Sequence, residues 1–132
     1  MRPATQPGPP VTAFWCERVV YETFEPDSPA QVSRCSRSNP AEAVRAIRVD
    51  VRAIKDTLAP VERERALRWT GHGGSLGAVA ALYRGEPCGF SLSSGGRWIE
   101  WTVRPYLAFD VSGLSLLPLT RAKFHQSVRP GR

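Results

Sequence analysis

The feature that most constrains this chain is the pair Gly95-Gly96, set between two runs that alternate apolar and polar residues, Cys88–Ser94 and Arg97–Val103. Glycines that accept positive φ are what a two-residue turn between antiparallel strands requires. With the two glycines as the loop, Leu92 faces Ile99, Phe90 faces Trp101 and Cys88 faces Val103, all on one face. Ser91 and Glu100, then Ser93 and Trp98, fall on the other. A slip of one residue would turn the whole apolar set outward, so turn and pattern agree on a single register. Such a hairpin must cover its apolar face, and the preceding residues supply helices that can do so.

The first helix begins at Asn39-Pro40-Ala41-Glu42. Asn39 can cap, Pro40 stands where a missing N–H costs nothing, and Glu42 completes a capping box. Val44, Ile47, Val51, Ile54 and Leu58 then recur at three- and four-residue steps and form one apolar stripe. The alternation of Ala46–Ala53 would also suit a strand, but the cap and the longer pattern favour a helix. Pro60 opens a second helix, Val61–Trp69, with Val61, Ala66 and Leu67 toward the core and Glu62, Arg63, Glu64 and Arg65 in solvent. After Gly71-His72-Gly73-Gly74, Ser75 can cap a third helix, Leu76–Arg84, which Gly85 and Pro87 stop.

Elsewhere, Val11–Phe24 is rich in β-branched and aromatic residues and reads as a strand. Glu25–Asn39, with two prolines and four serines, reads as a loop. Past Pro105, the apolar residues Tyr106, Leu107, Phe109, Leu114, Leu116, Leu117 and Leu119 suggest an added edge strand that Pro118 breaks. The expected architecture is α+β, with two or three helices packed on a small antiparallel sheet that contains the C-terminal-half hairpin. The expected organisation is a flexible Pro-rich leader (1–10), a single α+β domain (11–120) and a basic tail (121–132).

At 132 residues the chain has room for one domain and enough core to fold without a disulfide or metal. Cys16, Cys35 and Cys88 lie far apart in sequence, form no CxxC pair and stand at no ligand spacing from His72 or His125. No metal or cofactor is therefore expected, and the cysteine usage suits a reducing compartment. The first ten residues lack the apolar core of a secretory signal, and the longest apolar run, Ala78–Tyr83, is too short to cross a bilayer. A cytoplasmic protein with no membrane partner is the expectation.

Eighteen basic residues against twelve acidic ones give a net charge of +6. Residues 104–132 hold five basic residues against Asp110 alone, and residues 41–70 hold seven against five. Within the latter, Arg45, Arg48, Arg52 and Lys55 follow the apolar stripe of the first helix about a third of a turn away. This basic helix face and the basic tail could bind a polyanion by neutralising phosphates. A solvated shoulder of a packed helix accounts for the same pattern, as does the arginine preference of a GC-rich coding sequence. The hairpin register adds Trp98 on the polar face beside Arg97 and Glu100, as an interface anchor or a base-stacking platform. Arg104 lies on the same strand.

One motif invites a catalytic reading. Gly73-Gly74-Ser75-Leu76-Gly77 matches the G-x-S-x-G elbow of serine hydrolases, with Asp110 and His125 following in the right order. An elbow needs a buried strand running into it, and the charged stretch Glu62–Arg68 is not one. A glycine linker with a serine cap explains the residues more simply. The same glycines could make an anion nest from the N–H groups of Gly74–Gly77, but G-x-G-x-x-G fails at Leu76 and no Walker lysine follows. Glu62 and Glu64 do not share a helix face, and Asp50 and Asp56 read as partners for neighbouring arginines such as Arg52. No catalytic residue emerges.

The stretch Arg84-Gly85-Glu86-Pro87 through Trp98-Ile99-Glu100-Trp101-Thr102-Val103-Arg104-Pro105, preceded by capped helices, resembles small proteins of high-GC actinobacteria that carry no assigned activity. The resemblance covers about a sixth of the chain and is structural, a helix stop and a hairpin. If such proteins travel on mobile elements, it implies an accessory role.

The sequence thus points to a non-enzymatic binding or regulatory protein with a protein partner, and to Arg45, Arg48, Arg52, Lys55, Trp98 and Arg104 as its contact residues. Nucleic-acid binding is the alternative, including an RNA-acting toxin of the RelE type. That toxin shares the small, basic layout of helices before an antiparallel sheet, but the third helix and the lack of a catalytic basic cluster on the sheet count against it. A serine hydrolase built on Ser75 is the weakest reading.

Overall fold

The computed structural model describes residues 8–22, 25–71 and 73–109. The expectations for the leader up to residue 7, for Phe24 and His72, for Asp110, His125 and the apolar segment before Pro118, and for the tail lie outside them. The elements run β1 (Val11–Glu22), β2 (Glu25–Arg37), α1 (Pro40–Ile54), α2 (Pro60–Gly71), α3 (Gly74–Tyr83), β3 (Cys88–Ser94) and β4 (Arg97–Ala108), with a short 3-10 turn at Lys55–Thr57. Among the described residues this is the expected α+β architecture, with three helices and one four-stranded antiparallel sheet in the order β2-β1-β4-β3.

The hairpin has the register its sequence dictates, with Cys88 opposite Val103, Phe90 opposite Trp101 and Leu92 opposite Ile99, and Gly95 turns the chain at φ +63°. Leu92 and Val103 are fully buried. Alternation is what places them under the helices: Phe14, Cys16 and Val20 of β1 lie on the same face as Trp101 and Val103 of β4. Ala43, Val44, Ile47 and Val51 of α1, with Leu58, Ala66, Ala78 and Leu82, close that face from above. Burial of a Leu or Val side chain stabilises by about 1.5–3 kcal/mol, so this shared interior is what holds helices to sheet. Three rings extend it across α2, β3 and β4: Trp69 stacks on Phe90 at 4.9 Å, and Phe90 on Trp101 at 6.3 Å.

α1 is a helix and not the rival strand. Asn39 Oδ1 accepts the Glu42 N–H at 2.9 Å, and Pro40 occupies the first turn. Five expectations need correction. Glu25–Arg37 is not a loop but β2, paired with β1 from Phe14↔Arg37 to Glu22↔Glu25. Backbone ladder bonds do not need apolar side chains, and the prolines are tolerated because β2 is an edge strand. Of the residues expected to add an edge strand past Pro105, Tyr106, Leu107 and Ala108 instead continue β4 through Pro105 against β1. There β3 has ended, β4 is itself the sheet edge, and a residue without an N–H fits.

On α2, Val61 and Leu67 are 71% and 40% exposed, and the buried positions are Ala66 and Thr70. Glu62, expected in solvent, instead accepts the Ser93 N–H at 2.9 Å and so caps an open donor of the β3 edge. Finally, α3 starts at Gly74 behind Gly73 at φ +114°, so Ser75 is inside the helix rather than its cap. Among the described residues, no helix is long and apolar enough to cross a membrane.

Candidate functional site: the arginine flank of α1 and the cleft beside it

α1 turns its apolar stripe to the sheet, and this fixes where its basic residues go. Arg45 and Arg52 are exposed, while Arg48 and Lys55 are half-buried along the same flank. The ion pairs separate the three arginines of this flank from most other cations. Among the described residues, Arg18, Arg34, Lys55, Arg63, Arg65, Arg68, Arg84 and Arg97 each have a carboxylate within ion-pair distance. Arg45, Arg48 and Arg52 have none. Asp50 and Asp56 are not partners of Arg52, as the spacing suggested: Asp56 pairs with Lys55 and Arg63, and Asp50 points away from the flank. The Arg48 Nε is buried without a hydrogen-bond acceptor, an arrangement folded proteins seldom leave unfilled.

On the other side of α1 a cleft of about 340 Å³ opens toward β1 and β2. Asp50 stands at its mouth, accepting the Trp101 indole N–H at 3.1 Å and lying 3.8 Å from the Arg18 guanidinium. Arg18 also donates to Gln31 at 3.4 Å. A second hollow, of about 390 Å³, shares Arg37, Ala46 and Asp50 with the first and reaches Arg45. The cleft floor holds Cys16 and Cys35, which are direct cross-strand partners. Cys88 lies in the same row, beyond Val103. All three thiols are free. Burial, aided by the neighbouring Cys35, pushes the Cys16 thiol up to about 12, against a smaller opposing pull from Arg37. Burial alone pushes Cys88 up to about 11.

Trp98 and Arg104 do not join the arginine flank. Both project from the face of β4 opposite the helices, six residues and about 20 Å apart along the strand. Trp98 is half-buried and donates its indole N–H to Glu100 at 2.8 Å, while Arg104 is exposed and pairs in register with Trp15. The six contact residues expected from sequence therefore fall on two sides of the molecule. The outer face also carries Trp15 and Tyr106, in edge-to-face contact at 6.3 Å, and the ion pair Arg34–Glu17 at 2.9 Å.

The glycine-serine motif has a structural explanation. Ser75 follows a helix rather than a buried strand, and the positive φ belongs to Gly73 rather than to a strained serine. The Gly77 N–H, a member of the possible anion nest, is already donated to Gly73 O at 2.8 Å. Among the described residues no three His, Cys, Asp or Glu side chains gather as a metal site.

Sequence reasoning missed the cysteine row, Arg37 and the Asp50–Trp101 link. The parity of Cys16 and Cys35 acquires meaning only once β2 is known to be a strand. No family model, curated protein or solved structure matches this chain, so its functional reading rests on the geometry above.

Proposed function

We propose that this is a non-enzymatic binding protein that docks on nucleic acid through the α1 flank, with Arg45, Arg48 and Arg52 as phosphate contacts. The observation that supports it is the lack of carboxylate partners at these three arginines, in a protein that pairs most of its other described cations. Unpaired cations keep their attraction for phosphate, whereas an arginine already bound to a carboxylate must first give it up. The flank rises about 10 Å from Arg45 to Arg52. That length matches about three phosphates along one strand of a duplex. Lys55, held by Asp56 at 3.5 Å, contributes less. The net charge of +6 adds long-range attraction.

Fluorescence anisotropy of labelled single- and double-stranded oligonucleotides over a salt series tests this. Three phosphate contacts give a log–log salt slope of about −2.7 for duplex, which is about a 40-fold loss of affinity between about 50 and about 200 mM salt. Replacing Arg45, Arg48 and Arg52 with glutamine should remove that slope. A variant with unchanged slope and affinity would refute the flank as the contact surface.

A protein partner is the second reading, and the outer sheet face favours it. Trp98 and Tyr106 are side chains of the type that anchor interfaces, and they share that face with Arg104. Trp98→Ala would then leave oligonucleotide binding intact while weakening capture of the partner protein.

A further inference from the structure

We infer that Cys16 and Cys35 are a dithiol site that closes reversibly into a cross-strand disulfide on exchange with a low-molecular-weight disulfide. The register makes them direct Cα partners on neighbouring antiparallel strands. Such partners stand about 4.5 or 5.5 Å apart depending on the ladder position, and both separations lie within the roughly 4.4–6.8 Å span of disulfides. Both side chains face the helices and line the same cleft, close enough for the Cys35 thiol to raise that of Cys16. Cys88 cannot substitute. It is separated from Cys16 by β4, two strand spacings or about 9.6 Å, beyond the roughly 7 Å that a bridge tolerates without backbone movement.

The cleft supplies access and order. Cys16 is 8% exposed, whereas Cys35 is half-buried and lines the opening. Arg37 stands on the same rim with no carboxylate within ion-pair distance among the described residues, and its charge acts on Cys16. An acidic small disulfide such as glutathione disulfide matches that charge. Cys35, as thiolate, attacks one sulfur of the small disulfide; one small thiolate leaves and takes up a proton, and a mixed disulfide stands on Cys35. Cys16 then gives up its proton and attacks the Cys35 sulfur. The Cys16–Cys35 bond forms as the mixed disulfide breaks, and the second small thiolate leaves and is protonated. Two protein thiols are oxidised and one small disulfide is reduced to two thiols. Cys35, the more open of the two, is therefore the first nucleophile, and the buried Cys16 attacks second because the mixed disulfide is held beside it.

The test uses the full chain, reduced and then incubated with glutathione disulfide in the presence of a metal chelator. It is quenched with acid, unfolded, alkylated with N-ethylmaleimide and weighed by intact mass spectrometry. The reduced chain should take three labels, one per cysteine, and the oxidised chain one, independently of protein concentration and reversibly with a dithiol. Cys88→Ser should take two labels reduced and none oxidised, and peptide mapping should join Cys16 to Cys35. Cys16→Ser should stop at one glutathione on Cys35. Should Cys16→Ser fail to fold by circular dichroism, the Cys88→Ser result decides alone. Three labels persisting on the oxidised chain, a glutathione adduct that never closes, or a bridge to Cys88 would overturn the inference.

Discussion

Adding one methyl group at each of two glycines on α3 should move stability in opposite directions. A Cβ at Gly74 would sit 2.6 Å from Trp69 Cδ1 and 2.7 Å from the Trp69 Cα, whereas one at Gly77 meets nothing within 4 Å. The Trp69 ring could swing, but its Cα cannot move without shifting α2. That ring is also stacked on Phe90 at 4.9 Å, so displacement propagates into the sheet. Overpacking of this kind costs about 1–3 kcal/mol. The gain in helix propensity offsets little of it, because Gly74 is the first helical residue. Gly77→Ala has no clash and removes freedom from the unfolded chain, which stabilises by about 0.4–1 kcal/mol. At this chain length 1 kcal/mol moves Tm by about 3–5 °C. Thermal unfolding followed by circular dichroism, with reductant present, should therefore place Gly74→Ala about 5–10 °C below the wild type and Gly77→Ala about 2–4 °C above it. If Gly74→Ala melts at or above Gly77→Ala, the close packing of the α2–α3 corner is not what the glycine is for. Ser75→Ala, within about 0.5 kcal/mol of wild type, would fit a serine with no cap to lose.

Asn39→Ala removes the acceptor of the Glu42 N–H and should cost about 1 kcal/mol in urea unfolding. Asp50→Ala leaves the Trp101 indole N–H without its acceptor; with the Asp50 side chain 40% exposed, water softens the loss to about 1 kcal/mol. Asp50→Asn, which keeps a carbonyl oxygen, should recover part of it. The reduced protein should lose stability in alkali. Below the ordinary thiol value of 9.0 Cys16 is protonated in both states; between 9.0 and about 12 only the unfolded chain ionises. Stability then falls as pH rises, by about 1.4 kcal/mol per unit from this thiol. Urea midpoints of wild type and Cys16→Ser measured from pH 8 to 11 check it, since the variant should lack that share of the slope and equal slopes would refute it.

What the sequence by itself determined is what depends on neighbours a few residues away. The hairpin register follows from two glycines and a period of two, and α1 from Asn39, Pro40 and a stripe at helical spacing, because turns and caps are set within single short segments. The outward face of Trp98 was legible for the same reason. Ala66 at the core was legible too, but the exposure of Val61 and Leu67 and the burial of Thr70 were not, since α2 rests on the sheet through close approach and the stack of Trp69 on Phe90.

Only the tertiary structure decided how β2, the passage of β4 through Pro105 and the cleft come together. β2 has hardly an apolar side chain, and its strand character comes from ladder bonds that any backbone can make once β1 lies beside it. Distant pairing then carries chemistry with it. It sets Cys35 against Cys16 across nineteen positions of sequence, brings Arg18 and Trp101 to Asp50, and separates the arginine flank from Trp98 and Arg104 by the thickness of a helix and a sheet. Periodicity specifies which face of an element a residue occupies, whereas packing specifies which faces meet.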